Sequence, residues 1–556
     1  MTPYRDPDAI PERTNIAQLL ERAAAEWPDQ TAVRVQASGA RITFRELARR
    51  AESIAAGMLA RGVRPGDRAC LFVPPGIDLI ATTYALFRLG AVPVLLDPGM
   101  GRKSLLGCIE RVRPRVLIGV PRAQVARVLY PSSFKSVALS ITSGPRIPFG
   151  GPTLAQLANG KHRQHELADT AASDTAAILF TSGSTGPPKG VVYTHGMFLA
   201  QVRALGDLYR FEPGEVDLCC FPLFALFDVA FGMTSVFPDM DVARPASCDP
   251  RRIFEAVVEF GATTTFGSPA IWKRVLPWCI ENGYKLEGLK RVLVAGAPVS
   301  VDLIRDCHAV LPVNGDADIY IPYGATEALP VTSIDGRDVV PSLVTETLGG
   351  RGTCVGRPTP GTDLRLIGIT DERIERWSDG LLVAPGELGE GVVRGPLVTR
   401  EYAQDPSHTA LAKIADPGGT FWHRMGDVGR LDEAGRLWFQ GRKSQRLLTR
   451  SGIRMPVPTE NIFNTHPRVA RTALVGVGAP GEELPLLVVE PVPGQMPRGE
   501  AMTEGFSMQL REIGKRHAVS ADVENFLFHP ALPVDARHNA KIHREELKVW
   551  ARQTLA

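Results

Sequence analysis

The sequence predicts an α/β protein, and three observations support this fold class. From Ile42 to Gly119, segments with helical spacing alternate with short apolar segments, which indicates a mostly parallel sheet covered by helices on both faces. Residues 349–440 contain many short strand-like segments broken by Gly and Pro, which indicates a β-rich subdomain. The last part of the chain alternates strands and helices again, and it is small enough to move as one α+β unit.

Local signals define the individual elements. Thr43 is suited to cap a helix because Glu46 follows three residues later, which is the spacing of a capping box. A run of Thr and Phe from Thr263 to Phe266 indicates a strand, because β-branched and aromatic residues favour extended chain. The other predicted elements are helices at Ile16–Trp27, Ile77–Gly90, Met197–Leu208, Ile253–Phe260 and Ala270–Asn282, and strands at Arg68–Val73, Val92–Leu96, Val116–Ile118 and Arg291–Val294.

Composition excludes several classes of protein. A chain of 556 residues is expected to form more than one domain, and a formal net charge of +3 argues against nucleic acid as the main partner. The eight cysteines form no C-x-x-C pair, which favours a reducing compartment such as the cytoplasm. Leu218–Phe237 is long enough to span a bilayer, but the central Asp228 makes insertion costly. We therefore predict no transmembrane segment and interpret this stretch as buried core or as the wall of an acyl pocket. Residues 121–172 are interpreted as a surface connection, because prolines interrupt any pattern there.

A loop rich in glycine and hydroxyl residues separates two strand-like segments, Ala176–Phe180 and Val191–Thr194. Glycines let backbone N–H groups close around an anion, hydroxyls add donors, and Lys189 adds a point charge, so the loop favours phosphate binding. It is not a Walker A loop, because Pro188 and Gly190 flank the lysine where that motif needs Gly and Ser or Thr. A plain Gly/Ser hairpin turn is the alternative. The predicted phosphate cradle (residues 181–190) contains Thr181, Ser182, Gly183, Ser184, Thr185, Gly186 and Lys189.

A second signal follows the strand-like segment Asp318–Pro322. An aromatic ring, a glycine, a hydroxyl and a carboxylate come in direct succession, and nucleotide chemistry needs these groups for stacking, close backbone approach, phosphate contact and Mg²⁺. The alternative is a strand end with a chance Thr-Glu pair. The residues are Tyr323, Gly324, Ala325, Thr326 and Glu327.

These two motifs resemble the signatures of the adenylate-forming superfamily, which includes acyl-CoA synthetases, peptide-synthetase adenylation domains and luciferases. The resemblance extends over the whole chain and is greatest to the bacterial β-lactone synthetases of olefin biosynthesis. It implies that the cradle holds the pyrophosphate of ATP, that Thr326 contacts the α-phosphate, and that Glu327 is a ligand of Mg²⁺. The implied cofactors are therefore ATP and Mg²⁺.

The resemblance also assigns residues outside the two motifs. Gly296, Ala297 and Pro298 would lie against adenine, Asp427 in the segment Trp422–Gly429 would accept hydrogen bonds from the ribose, and Arg442 would contact the nucleotide at the seam between two domains. It thus divides the chain into a large domain, residues 1–441, and a small mobile lid, residues 442–556, with Ser444 as the hinge. Lys541 in Asn539–Arg544 would be the adenylation lysine, although Ala540 replaces the usual glycine. Ala225 stands where many relatives have histidine or an aromatic residue, so the shape of the acyl pocket is not carried over.

The implied reaction activates a long-chain 2-alkyl-3-hydroxy acid as an acyl-adenylate, whose own 3-hydroxyl then closes a β-lactone. The predicted catalytic residues are Lys189, Thr326, Glu327 and Lys541. Two alternatives stay open: a long-chain acyl-CoA or acyl-carrier ligase, and a non-catalytic nucleotide-binding scaffold. The resemblance also suggests assembly with other olefin-pathway enzymes, a β-lactone decarboxylase and a reductase.

Overall fold

The computed structural model describes residues 10–160, 165–181, 188–312, 315–535 and 541–555. Its first sheet has six strands, which are parallel except for the antiparallel last pair on either side of the predicted cradle in the chain. The strands Val116–Gly119 and Val92–Leu96 are short, largely buried and rich in Val, Leu and Ile, as expected for a sheet covered on both faces. Across the sheet the strands are Leu139–Thr142, Val116–Gly119, Arg68–Phe72, Val92–Leu96, Thr175–Thr181 and Lys189–Thr194.

The second sheet has nine strands, and its central strands are also parallel. Its strands are, in order, Arg357–Pro358, Ala328–Asp335, Asp318–Ala325, Arg291–Val294, Thr264–Gly267, Val216–Cys219, Thr234–Phe237, Thr31–Val35 and Ala40–Thr43.

Helices cover both sheets. The predicted capping box is present: Glu46 N donates to Thr43 Oγ1 at 3.3 Å, and Thr43 N donates to Glu46 Oε2 at 2.9 Å. The helices of the large domain are Gln18–Glu26, Phe44–Leu59, Ile77–Arg88, Arg102–Val112, Pro121–Leu129, Leu154–Ala158, His195–Tyr209, Ala225–Phe231, Pro250–Phe260, Pro269–Glu281, Val301–Val310 and Pro406–Ala412, with short helical turns within 336–351.

The predicted β-rich subdomain is an antiparallel sheet. The long strand Phe421–Leu431 lies at its centre and carries Asp427, which is in register with Arg442 on the neighbouring strand. Its strands are Thr353–Cys354, Leu437–Arg442, Phe421–Leu431, Gly389–Arg394 and Asp363–Ile367, with Lys413–Ala415 beside the central strand.

The C-terminal part is a separate α+β unit. Asn461 Nδ2 lies 3.4 Å from Thr353 Oγ1, and Arg446 pairs with Asp371 at 2.5 Å, so polar contacts hold it against the β-rich sheet. Its strands are Leu447–Thr449, Gly452–Arg454, Val469–Val477, Leu484–Pro491 and Asn525–Phe528, and its helices are Pro456–Phe463, Gly499–Gly514 and Arg544–Leu555. The predicted fold class is confirmed by this arrangement of sheets and units.

Of two interpretations made from the sequence, the one for residues 121–172 is wrong and the one for Leu218–Phe237 is confirmed. Residues 121–172 are more than a surface connection, because Leu139–Thr142 is the edge strand of the first sheet, too short to show a pattern between its flanking prolines. Leu218–Phe237 is core as predicted: a strand end, a short helix and a strand, with Asp228 0% exposed. Among the described helices, none has the length and apolar character needed to cross a membrane.

The core beneath this stretch contains a polar cluster, which we call the Asp217–Asp228 cluster. Cys219 Sγ lies 2.9 Å from Asp217 Oδ2 and 3.3 Å from Asp228 Oδ2, and Ser235 Oγ donates to Asp228 Oδ2 at 2.7 Å. Burial raises the pKa of Asp228 to about 7 and the pKa of Asp217 well above its ordinary value. The thiol and the hydroxyl that contact these carboxylates are neutral, so burial favours the protonated form of both aspartates.

Candidate active site

The predicted phosphate cradle lies in the chain between the last two strands of the first sheet, which pair antiparallel. Thr181 and Lys189 are register partners where the hairpin opens. The residues Ser182, Gly183, Ser184, Thr185 and Gly186 lie outside the described part of the chain. The ammonium Nζ of Lys189 lies 5.1 Å from the centroid of the Tyr402 ring, which is a cation–π contact.

The second motif forms a tight turn between two antiparallel strands of the second sheet. Ala325 pairs with Ala328, so Thr326 and Glu327 occupy the turn itself. A Cβ at Gly324 would lie 2.4 Å from the carbonyl oxygen of Ala328, so a side chain is sterically excluded there.

Two tyrosine hydroxyls hold this turn. Tyr193 OH donates to Thr326 O at 2.6 Å, and Tyr402 OH donates to Glu327 Oε1 at 2.7 Å. The second oxygen of Glu327 accepts no hydrogen bond from any described residue. Glu327 is partly buried and offers a carboxylate, the type of ligand that Mg²⁺ prefers.

The proposed ribose site joins three predicted residues from two sheets. Tyr323 OH donates to Asp427 Oδ2 at 2.6 Å, and Arg442 Nε lies 3.1 Å from Asp427 Oδ1. Arg442 also donates to the carbonyl of Met425 at 3.3 Å. Burial raises the pKa of Asp427, and Arg442 and the Tyr323 hydroxyl oppose this rise. The arrangement provides a carboxylate acceptor beside a permanent cation.

The predicted adenine segment lies at the same edge of the sheet as Tyr323. The strands Arg291–Val294 and Asp318–Ala325 are parallel neighbours, with Leu293 opposite Tyr320. Gly296, Ala297 and Pro298 therefore follow at the carboxyl edge, where ligands of open α/β sheets bind. Gly296 has a φ of 90°, which a glycine adopts without strain.

Lys541 belongs to the C-terminal unit, whereas the other predicted residues lie on or beside the three sheets of the large domain. Its backbone N donates to Asp535 Oδ1 at 2.9 Å and its carbonyl accepts from Asp535 N at 3.1 Å. Arg544, three residues later, pairs with Glu460 at 2.7 Å and anchors the segment. The proposed seam at 441/442 falls within the strand Leu437–Arg442, and Lys443 Nζ lies 3.1 Å from Glu390 Oε2 of the β-rich sheet.

Sequence reasoning missed two residues beside this site, Tyr402 and Lys413. Lys413 Nζ donates to Thr399 O and lies 3.0 Å from His423 Nδ1. Burial lowers the pKa of Lys413 to about 7, and nearby Glu327 opposes this shift. Neither residue belongs to a motif with a recognisable composition, and their partners are remote in sequence, so no local signal indicated them.

A family profile described as AMP-binding enzyme matches residues 20–403. The chain therefore belongs to the AMP-binding enzyme family and is an AMP-forming ligase of the adenylate-forming class. It is 45% identical over 97% of its length to the olefin β-lactone synthetase of Xanthomonas campestris pv. campestris, covering 98% of that protein. It is 44% identical over 97% of its length to the olefin β-lactone synthetase of Stenotrophomonas maltophilia, covering 98% of that protein. These relatives confirm the resemblance inferred from the motifs.

A solved structure with the same fold is the ATP-bound MatB from Rhodopseudomonas palustris. Its TM-score is 0.77 at 23% identity, over 97% of this chain and 100% of that one. At this identity the likeness concerns the fold alone, and it confirms the α/β class with a large and a small domain.

Proposed function

We propose that the protein is a β-lactone synthetase that acts on a long-chain 2-alkyl-3-hydroxy acid with ATP and Mg²⁺. The observation that carries this proposal is the near full-length identity of 45% to an olefin β-lactone synthetase. The aromatic side chains of the buried stretch suit an apolar substrate, since Phe224 packs against Phe227 and Phe266 with centroids 5.8 and 4.8 Å away.

In the first half-reaction, the substrate carboxylate attacks the α-phosphorus of ATP, and pyrophosphate leaves. Negative charge gathers on the phosphate oxygens, so pre-positioned cations and donors lower the barrier. Lys189 and the cradle would hold the β- and γ-phosphates, Thr326 the α-phosphate, and Asp427 with Arg442 the ribose. Glu327 would hold Mg²⁺, which when bound neutralises phosphate charge.

In the second half-reaction, the 3-hydroxyl oxygen bonds to the acyl carbon and loses its proton, and the bond from that carbon to the phosphate oxygen breaks, releasing AMP. The nucleophile belongs to the substrate, so proximity replaces a bound thiol. Lys541 would reach the acyl and phosphate oxygens in the first step after closure of the small domain over a seam near residues 441–444. The lactone would then pass to a β-lactone decarboxylase. We propose that this enzyme assembles with the protein.

The test is an incubation of the protein with ATP, Mg²⁺ and a 2-alkyl-3-hydroxy acid, without CoA. We expect β-lactone and AMP in equal amounts, measured by mass spectrometry and nucleotide chromatography. The 3-O-methyl acid is the matched control and should give pyrophosphate without lactone. Turnover that waits for a thiol would identify an acyl-CoA or carrier ligase instead, and absence of AMP from every acid would indicate a nucleotide-binding scaffold.

The role of Lys541 is tested with Lys541→Ala. Because a cation that acts on the developing charge is lost, pyrophosphate formation should fall roughly 1000-fold, while ATP binding measured by calorimetry stays intact. Lys515→Ala removes another exposed lysine of the same unit and serves as the control. Undiminished adenylate formation in Lys541→Ala would refute the assignment.

A further inference from the structure

We propose that Tyr402 is a positioning residue that orients Glu327 and Lys189 and keeps both charges available to the metal and the phosphates. This inference rests on the proposed function, because it assigns to Tyr402 a role in the site that binds MgATP. Tyr402 contacts the two charged residues through different parts of its side chain, the hydroxyl and the ring face.

The hydroxyl contact restricts the carboxylate. Tyr402 OH donates to Glu327 Oε1 at 2.7 Å, and the tyrosine is only 6% exposed. A tyrosine hydroxyl is protonated at neutral pH, so it donates its hydrogen to the carboxylate of Glu327. This hydrogen bond restricts the rotamers of Glu327. The second carboxylate oxygen is therefore pre-oriented for a cation.

The ring contact holds the ammonium of Lys189 without neutralising it. A carboxylate partner would cancel the positive charge, whereas an aromatic face attracts a cation and leaves its net charge unchanged. Among the described residues, no ion pair joins Lys189 to Glu327 or to any other carboxylate. Tyr402 therefore gives each residue its own partner: its hydroxyl binds Glu327 and its ring binds Lys189. Neither residue needs to form an ion pair with the other.

The backbone around Tyr402 joins the two motifs in the same way. We call residues 398–403 the bridging segment. Thr399 N donates to Glu327 O at 2.8 Å on one side, and Ala403 N donates to Gly190 O at 2.7 Å on the other. Tyr402 itself forms an isolated bridge with Val191. The segment thus fixes the turn of the second sheet to the hairpin of the first, with Tyr402 between them.

The experiment compares Tyr402→Phe with Tyr402→Leu. The first keeps the ring but removes the hydroxyl. We therefore expect the Kd of Mg²⁺ for the ATP-bound protein, measured by calorimetry, and the Mg²⁺ concentration for half-maximal pyrophosphate release both to rise about 5- to 10-fold, with the KM for ATP at saturating Mg²⁺ unchanged. The second removes the ring as well, so the KM for ATP should also rise, roughly 5-fold or more. Tyr209→Phe is the matched control, because that buried hydroxyl bonds Ser333 at 3.2 Å, away from Glu327.

A parallel Glu327→Gln variant separates failure of this inference from failure of the proposed function. If Glu327→Gln shifts the Mg²⁺ dependence and Tyr402→Phe leaves it within twofold of the wild type, the role of Tyr402 is refuted alone. If Glu327→Gln changes nothing, the metal site itself is wrong. The double variant Tyr402→Phe/Glu327→Gln should show the same shift in Mg²⁺ dependence as Glu327→Gln alone. Additive shifts in the double variant would overturn the inference, and so would a shift in Tyr209→Phe equal to that in Tyr402→Phe. Thermal melting of each variant verifies folding.

Discussion

Two regions of this molecule bury aspartate carboxylates, and their partners differ in charge. Asp427 is 5% exposed and lies against Arg442 and the hydroxyl of Tyr323. Asp217 and Asp228 are 0% exposed and are surrounded by a thiol and a hydroxyl, with no cation among their described contacts. The difference shows that a permanent cation lets a buried carboxylate serve as a charged acceptor, whereas neutral donors leave it to hold a proton.

The largest effect on activity is expected at Asp427, the carboxylate that pairs with Arg442. Asp427→Asn replaces a charged acceptor of the proposed ribose hydrogen bonds and leaves Arg442 unpaired, so kcat/KM for ATP should fall roughly 100-fold. Steady-state pyrophosphate release measures this. Arg442→Lys keeps the charge but loses the planar geometry, so its loss should be smaller, about 10-fold. If the activity of Asp427→Asn stays within twofold of that of the wild type, Asp427 is not part of the nucleotide site.

The next effect concerns the pH dependence of the Asp217–Asp228 cluster. The folded protein holds the Asp228 proton up to a pKa of about 7, whereas an ordinary aspartate loses it near 3.8. The stability from this group is therefore complete below pH 4 and is lost as pH rises towards 7. Relative to Asp228→Asn, the unfolding free energy of the wild type should decline by roughly 2 kcal/mol over that window, because two coupled carboxylates share the shift.

Urea unfolding at several pH values measures this prediction, with Asp427→Asn as the comparison. A difference between wild type and Asp228→Asn that stays constant with pH would show that the cluster does not take up a proton on folding.

The smallest effect is expected for the thiol of the cluster. All eight cysteines are free and buried. Burial raises the pKa of Cys219 well above its ordinary value, the two carboxylates raise it further, and burial raises the pKa of Cys108 to about 11. Thiols without thiolate character react slowly. An aromatic disulfide reagent should therefore label almost no cysteine in the native protein and all eight after unfolding; rapid native labelling would contradict the burial of the cluster.

The sequence was sufficient for features whose signal is local. Extended chain flanks the cradle, so the sequence predicts a strand on each side of it, and the structure has both strands. The sequence also predicts Thr326 and Glu327 directly after a strand, as the structure has them. Thr43 and Glu46 form the predicted capping box because both partners lie within one helical turn.

Contacts between remote segments were not predictable in this way. Tyr402 is separated from Glu327 by 75 positions, and only the approach of two sheets makes them neighbours. Asp427 and Arg442 were identified individually by resemblance, but their pairing depends on the register of two antiparallel strands. The short edge strand Leu139–Thr142 was missed because four residues give too few repeats to show alternation.

The burial of every native cysteine has a practical consequence for observing domain motion. Because the eight buried cysteines are expected to react slowly with maleimide dyes, cysteines introduced at exposed positions would carry the fluorophores selectively. Val258 on the large domain is 61% exposed and Met502 on the C-terminal unit is 51% exposed, so they provide one attachment point on each side of the seam. Energy transfer between such a pair would test, in solution and in real time, the proposed domain closure that brings Lys541 to the nucleotide.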